Sequence, residues 1–275
     1  MNYKLIAMDM DGTLLTSDKE ITTYTKSILH KAADRGVILA VCTGRLFASA
    51  DYYASLLGTD VPVIASNGAY IKDKKTNKII YENKLGLERI NEITSLVKSY
   101  GLWASYYTTN HIISEVMTMA TRFYSDRNEY FPQNGKISID TGKSFQEILE
   151  YYGEDIIKIV ISTERYEALA GLRRAIEKQC DVSIMSSWNN NIEIMSPGVS
   201  KGNSVSMLAK FYGIEKSQIM CFGDNENDTS MIEYAGMGIA MGNATEQLKS
   251  KADYITDTND NDGVAKAIKK YVLEV

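Results

Sequence analysis

The chain has 275 residues, 44% of them hydrophobic, enough apolar material for one large globular domain or two smaller ones. Its 35 acidic residues against 30 Lys plus Arg leave a net charge of −5, which argues against a nucleic-acid or anionic-membrane partner. No apolar run approaches a membrane span and Asp9 interrupts the first candidate signal-peptide core. The three widely spaced cysteines, Cys42, Cys180 and Cys221, read as buried reduced thiols, so a cytoplasmic protein is expected.

In chain order, the first apolar run, KLIAM, ends at Asp9 and Asp11 in DMDGT, where Gly12 turns the chain. Residues two apart on a strand share a face, and two carboxylates this close at a strand end repel unless a cation lies between them. A simple turn accounts for Asp11 and Gly12 and leaves Asp9 unexplained. A helix over 23–35 closed by Gly36, the strand VILAVC, a helix over 46–57 and the strand PVIAS follow. Nearly continuous apolar strands alternating with helices predict a parallel sheet covered on both faces. CTGR, at the end of the second strand, offers the Thr43 hydroxyl and the free N–H groups of a helix start, a natural anion site.

KDKKTNK, 72–78, reads as a solvated hairpin turn. From 84 to 188 come a helix over 87–100, a short strand over 102–107, a long irregular segment, the strand IIKIVIS, a helix over 165–179 and the strand VSIMSS. This mixture predicts a separate α+β domain inserted into the first. Trp103 in this region is expected to pack in its core.

The opening pattern then returns: NIEIM, a helix over 201–212, QIMCF ending at Gly223, the short strands GIAM and DYIT, and a final helix over 262–273. GDNEND places Asp224, Glu226 and Asp228 directly after an apolar run; capping explains one of the three acids but not the set. Lys201 opens a helix, where a cation is unfavourable unless an anion binds beside it. The predicted fold class is α/β, a doubly wound Rossmann-like parallel sheet over 1–83 and 189–275, with the inserted α+β domain over 84–188. In such a sheet the residues past the strand ends converge on one crevice, so Asp9, Asp11, Asp224 and Asp228 can share a site. All-oxygen ligands favour Mg²⁺, and magnesium commonly works on phosphate. Only two histidines, His30 and His111, are present, so histidine-dependent chemistry has few places to live.

At this point the sequence resembles the haloacid dehalogenase superfamily, and within it the Cof-type, class IIB sugar-phosphate phosphatases. The motifs that carry the resemblance run the length of the chain: DMDGT from Asp9, TGR from Thr43, SNGA from Ser66, SKG around Lys201, GDNENDTSM from Gly223 and MGNA from Met241. The resemblance implies that Asp9 is a nucleophile forming an aspartyl-phosphate and that Asp11 protonates the leaving oxygen and then activates water. It also implies that Mg²⁺ is held by the Asp9 carboxylate, the Asp11 carbonyl and Asp224, with Asp228 supporting. Met10 N–H, Thr43, Gly44 N–H, Lys201 and Asn227 would hold the phosphoryl group of a small phosphorylated metabolite. The inserted domain resembles the cap of these enzymes and would read the leaving group. Arg45, Asn67 and Gly68 lie where the core faces substrate, and Trp103, Tyr107, His111 and Asn189 to Asn191 are cap or rim candidates, with Asn191 taken as substrate-binding and core packing preferred for Trp103.

Rival readings fare worse. GVSKG, 198–202, fits a serine-hydrolase elbow, but no histidine follows Ser200. GMGIAMG has the wrong glycine spacing for a dinucleotide loop. A phosphomutase would need a second phosphate motif in the cap, and none is recognisable; a non-catalytic phosphosugar-binding protein would be expected to lose Asp9 or Asp11.

Overall fold

The computed structural model describes residues 3–129 and 136–274. Five strands open the chain: β1 (Leu5–Met8), β2 (Ile38–Cys42), β3 (Val63–Ala65), β4 (Tyr70–Asp73) and β5 (Lys78–Glu82). Six follow: β6 (Ser105–Tyr107), β7 (His111–Ser114), β8 (Ser138–Thr141), β9 (Lys158–Ser162), β10 (Ser183–Met185) and β11 (Asn191–Met195). β12 (Ile219–Gly223), β13 (Met237–Ala240) and β14 (Tyr254–Ile255) complete the set. They form an eight-stranded sheet, ordered β14-β13-β12-β1-β2-β3-β4-β5, and a six-stranded sheet, ordered β10-β11-β9-β6-β7-β8.

The eight-stranded sheet belongs to the first of two compact units, Met1–Gly44, Tyr53–Tyr81 and Ser200–Val275. β1 pairs in parallel with β2 on one side and β12 on the other. All four residues of β1 are buried, as expected of a central parallel strand with both faces covered. From β1 the chain steps outward to β2 and β3, and from β12 it steps the other way to β13 and β14. The order therefore reverses between β1 and β12, and this is where an open α/β sheet presents a crevice beyond its carboxyl ends. The helix Thr23–Asp34 forms where predicted. Thr22 accepts the Thr25 N–H at 3.0 Å, Ile28, Leu29 and Ala32 are buried, and Gly36 takes φ +82° just beyond the end.

The second unit comprises Arg45–Tyr52 and Glu82–Val199. Ile159 and Ile161 of β9 and Ile192 and Ile194 of β11 enter one hydrophobic cluster with the helices Leu87–Ser99 and Tyr166–Gln179. Tyr107, Ile112 and Val160 enter a second, with Leu46 and Tyr124. Three sequence expectations need correction here. NIEIM is not a strand of the parallel sheet: as β11 it pairs antiparallel with β9 and β10. Its alternation of Asn, Ile, Glu and Ile suits an antiparallel sheet with two unlike faces, unlike the unbroken apolar β1. The long irregular segment contains β7, β8 and the helices Met119–Asn128 and Phe145–Tyr152. These helices start at capping boxes built on Thr118 and Ser144, whereas Met119–Asn128 has few apolar residues to betray a period. Trp103, expected in the core, is 48% exposed.

Candidate active site

β1 delivers Asp9 to the sheet's carboxyl edge, where its N–H donates to the Phe222 carbonyl at 3.0 Å and fixes it beside β12. Two residues on, Asp11 bridges to Leu15 and the loop folds back, with Met10 fully buried and its carbonyl accepting Leu15 N–H at 2.8 Å. Gly12 makes the turn at φ +79°, and a Cβ there would lie 2.4 Å from Asp224 Oδ2. Both the dihedral and the space demand glycine. Gly12→Ala is therefore expected to displace Asp224 and lower turnover on the order of 10²-fold, as ångström-scale misplacement does. Steady-state kinetics of the purified variant checks this.

Lys201, at the start of the helix Lys201–Tyr212, is entirely buried. Its Nζ donates to Asp9 Oδ1 at 2.6 Å and to Asp228 Oδ1 at 2.5 Å. The other Asp228 oxygen accepts the N–H groups of Asp224 and Asn225 at 2.8 and 3.0 Å, and Thr13 Oγ1 donates to Asp224 Oδ1 at 2.8 Å. Asp9, Asp224 and Asp228 each offer an oxygen within 4.8 Å of the others. One buried ammonium thus faces three carboxylates. Burial pushes Asp9 well above the usual carboxylate range against the pull of Lys201, and Asp228 and Asp224 push it further. Burial, then Asp228, raises Asp224 to about 7. Burial alone would lower Lys201, but Asp228 and Asp9 outweigh it and hold the amine charged. A hard divalent cation with oxygen ligands fits this donor set, because it supplies the charge the carboxylates lack.

The ends of β2 and β3 add polar backbone. Thr43 is buried, with its N–H on the Ile64 carbonyl at 2.8 Å and its own carbonyl accepting Asn67 N–H at 3.0 Å; Gly44 follows it. Ser66, Asn67 and Gly68 all take positive φ, at 49°, 55° and 104°. This unusual run turns the Asn67 amide toward Asn227, whose Nδ2 donates to Asn67 Oδ1 at 3.0 Å. A Cβ on Gly68 would meet Ser204 Oγ at 2.2 Å.

The predicted residues thus come together: Lys201 contacts Asp9 and Asp228 directly, Asp224 lies with them in one acidic group, and Asn67 and Asn227 meet as a pair. The Asp11 carboxylate stands apart from the acidic group and pairs with Lys19 Nζ at 2.8 Å. Arg45 belongs to the second unit, where it donates to Ser49 Oγ at 3.2 Å. Asn191, expected to face substrate, is held within the β10–β11 hairpin. Its Oδ1 accepts Ser187 and Trp188 N–H, and its Nδ2 donates to Ser187 Oγ and Glu193 Oε1. Tyr107 is buried against Tyr124, and His111 packs on Tyr152 with ring centroids 5.8 Å apart. Ser200, of the serine-elbow reading, caps a helix by accepting Asn203 N–H. Sequence reasoning missed Thr13 and Lys19. Thr13 lies inside the DMDGT motif, whereas Lys19 carries no motif of its own.

The three cysteines are buried thiols, as expected; burial pushes all three up, Cys180 to about 11. Among the described residues no helix is long and apolar enough to cross a membrane.

Comparison with known proteins places the chain in a family. A family profile described as haloacid dehalogenase-like hydrolase matches residues 6–268. The 5-amino-6-(5-phospho-D-ribitylamino)uracil phosphatase YcsE of Bacillus subtilis (strain 168) is 33% identical over 275 residues, covering 99% of this chain and 97% of its own. The solved structure of a haloacid dehalogenase-like hydrolase from B. subtilis superposes with a TM-score of 0.87 at 31% identity, over 98% of this chain and 100% of that one. A sugar phosphatase of HAD subclass IIB shares the fold, with a TM-score of 0.81 at 24% identity over 98% of both chains.

Proposed function

Because the chain belongs to the haloacid dehalogenase-like hydrolases, we propose that it hydrolyses small phosphate monoesters with Mg²⁺ through an aspartyl-phosphate on Asp9. The observation that carries this reading is the Asp9 carboxylate, buried at the switch point of the sheet and gripped by Lys201 among Asp224 and Asp228. The Asp9 and Asp224 carboxylates and the Asp11 carbonyl would hold the metal, with Asp228 in support; when bound, it supplies charge neutralisation and orientation of the phosphate.

The chain's own residues divide the work. Asp9 attacks phosphorus; Asp11 gives its proton to the departing oxygen, then takes one from the water that cleaves the acyl phosphate. Lys201, Thr43, Asn227 and the N–H groups of Met10 and Gly44 hold the phosphoryl oxygens, and phosphoryl transfer depends mainly on such positioning. The second unit, with Arg45 as its first residue, acts as a cap that reads the leaving group. The relatives support the substrate class. YcsE is named for a phosphoribitylaminouracil, and sugar phosphates or similar phosphorylated metabolites are the class proposed here.

Metal dependence is the first test. Chelation with EDTA is expected to stop phosphate release and lower the melting temperature, and Mg²⁺ to restore both. Turnover that persists at full rate in EDTA would refute the reading.

A further inference from the structure

The loop after Asp9 holds a residue that the mechanism above does not use. Lys19 sits at φ +64°, a left-handed conformation that side chains rarely adopt and glycine adopts freely. The loop is closed tightly around it. Thr16 N–H donates to the Glu20 carbonyl and Lys19 N–H to the Thr16 carbonyl, both at 2.9 Å. On its flank, the Ser17 N–H and hydroxyl both donate to Asp260 at 2.7 Å, and Asn259 Nδ2 donates to the Leu15 carbonyl at 2.9 Å. A lysine in a strained position of a pinned loop is delivered to a fixed place. That place is the Asp11 carboxylate: Lys19 Nζ lies 2.8 Å from Asp11 Oδ1, and the two side chains are only 25% and 28% exposed. A pair this sheltered is screened less than an ion pair in open solvent.

We infer that Lys19 is a positioning residue for Asp11, holding the acid–base carboxylate in the orientation from which it exchanges a proton with the leaving group. The inference rests on the phosphatase reading of Asp9 and Asp11. In the step concerned, an Asp9 oxygen forms its bond to phosphorus. The bond from phosphorus to the leaving oxygen breaks, its electron pair stays on that oxygen, and the Asp11 proton neutralises it. Orientation matters most for a basic leaving oxygen, which cannot depart without the proton, and least for nitrophenolate, which can.

The test compares kcat/KM for phenyl phosphate and p-nitrophenyl phosphate, which present the same ring and differ mainly in leaving-group basicity. This quantity reports steps up to departure of the alcohol and excludes later hydrolysis of the acyl phosphate. Lys19→Met retains the side-chain length and the same backbone strain. It is expected to lower kcat/KM for phenyl phosphate about tenfold, with less than about threefold loss for p-nitrophenyl phosphate, and Lys19→Arg to restore most of the difference. Equal losses on both substrates would mark a loop-building role only, and no loss on either a surface ion pair only; both outcomes overturn the inference. Asp11→Asn is the internal reference. If it steepens the leaving-group dependence and Lys19→Met does not, Lys19 alone has been misassigned. If it does not, the acid–base reading of Asp11 fails and the inference falls with it.

Discussion

Asp9→Asn is expected to abolish phosphate release, by on the order of 10⁴-fold or more, while leaving the protein at least as stable as the parent. The two halves of this expectation have one cause. The Asp9 side chain is 9% exposed and its carboxyl is raised by burial and by two neighbouring acids, so the ionised form needed for attack is the form the folded protein holds least easily. A raised carboxyl favours folding at low pH and loses that contribution as pH climbs through the folded value, so at neutral pH the charge weighs against the fold. Asparagine keeps the shape and an oxygen for Lys201 Nζ, removes the charge, and cannot form the acyl phosphate. Release of phosphate from p-nitrophenyl phosphate and a thermal melt in EDTA measure the two effects on one sample. Turnover within tenfold of the parent would remove Asp9 as nucleophile.

Asp9 was legible because its position contradicts burial economics: a charge directly after four buried apolar residues needs a reason, and a turn does not provide one. Lys201 was legible in the same way, as a cation at the wrong end of a helix. Asp9 and Asp224 converge because they follow β1 and β12, which lie side by side at the switch point, whereas Lys201 arrives from the helix that precedes β12. Lys19 was not legible. Its pairing with Asp11 depends on a left-handed residue inside a non-repeating loop, and neither periodicity nor spacing encodes that. The hairpin role of Asn191 was hidden for a related reason: an asparagine near a strand start suits a ligand contact or a hairpin, and its bonds to Ser187 and Trp188 appear only in the folded chain. NIEIM carried a usable signal in its alternation, yet its neighbourhood to the Lys201 helix drew it toward the wrong sheet.

Lys201→Met tests the other half of the site, and its largest effect is expected on stability. The ammonium is fully buried between Asp9 and Asp228, and the Asp228 side chain is itself entirely buried. Removing one partner from a buried ionic cluster leaves uncompensated charge, which typically costs about 3–5 kcal/mol. Methionine fills nearly the same volume, so packing contributes little to the loss. Without metal, Asp9, Asp224 and Asp228 would then face one another with no cation among them. Urea denaturation in EDTA should show the full deficit, and added Mg²⁺ should recover part of it by replacing the missing charge. Activity should stay low in both conditions, because the phosphoryl group has lost its fixed ammonium. The double variant Lys201→Met/Asp228→Asn separates the two effects. Neutralising Asp228 relieves the repulsion while retaining an oxygen for the Asp224 and Asn225 N–H groups, so stability should return toward that of the parent and activity should not. If the single variant were as stable as the parent in EDTA, the lysine could not be the counter-charge of the buried acids. If the double variant regained activity, its role in holding the phosphoryl group would be wrong.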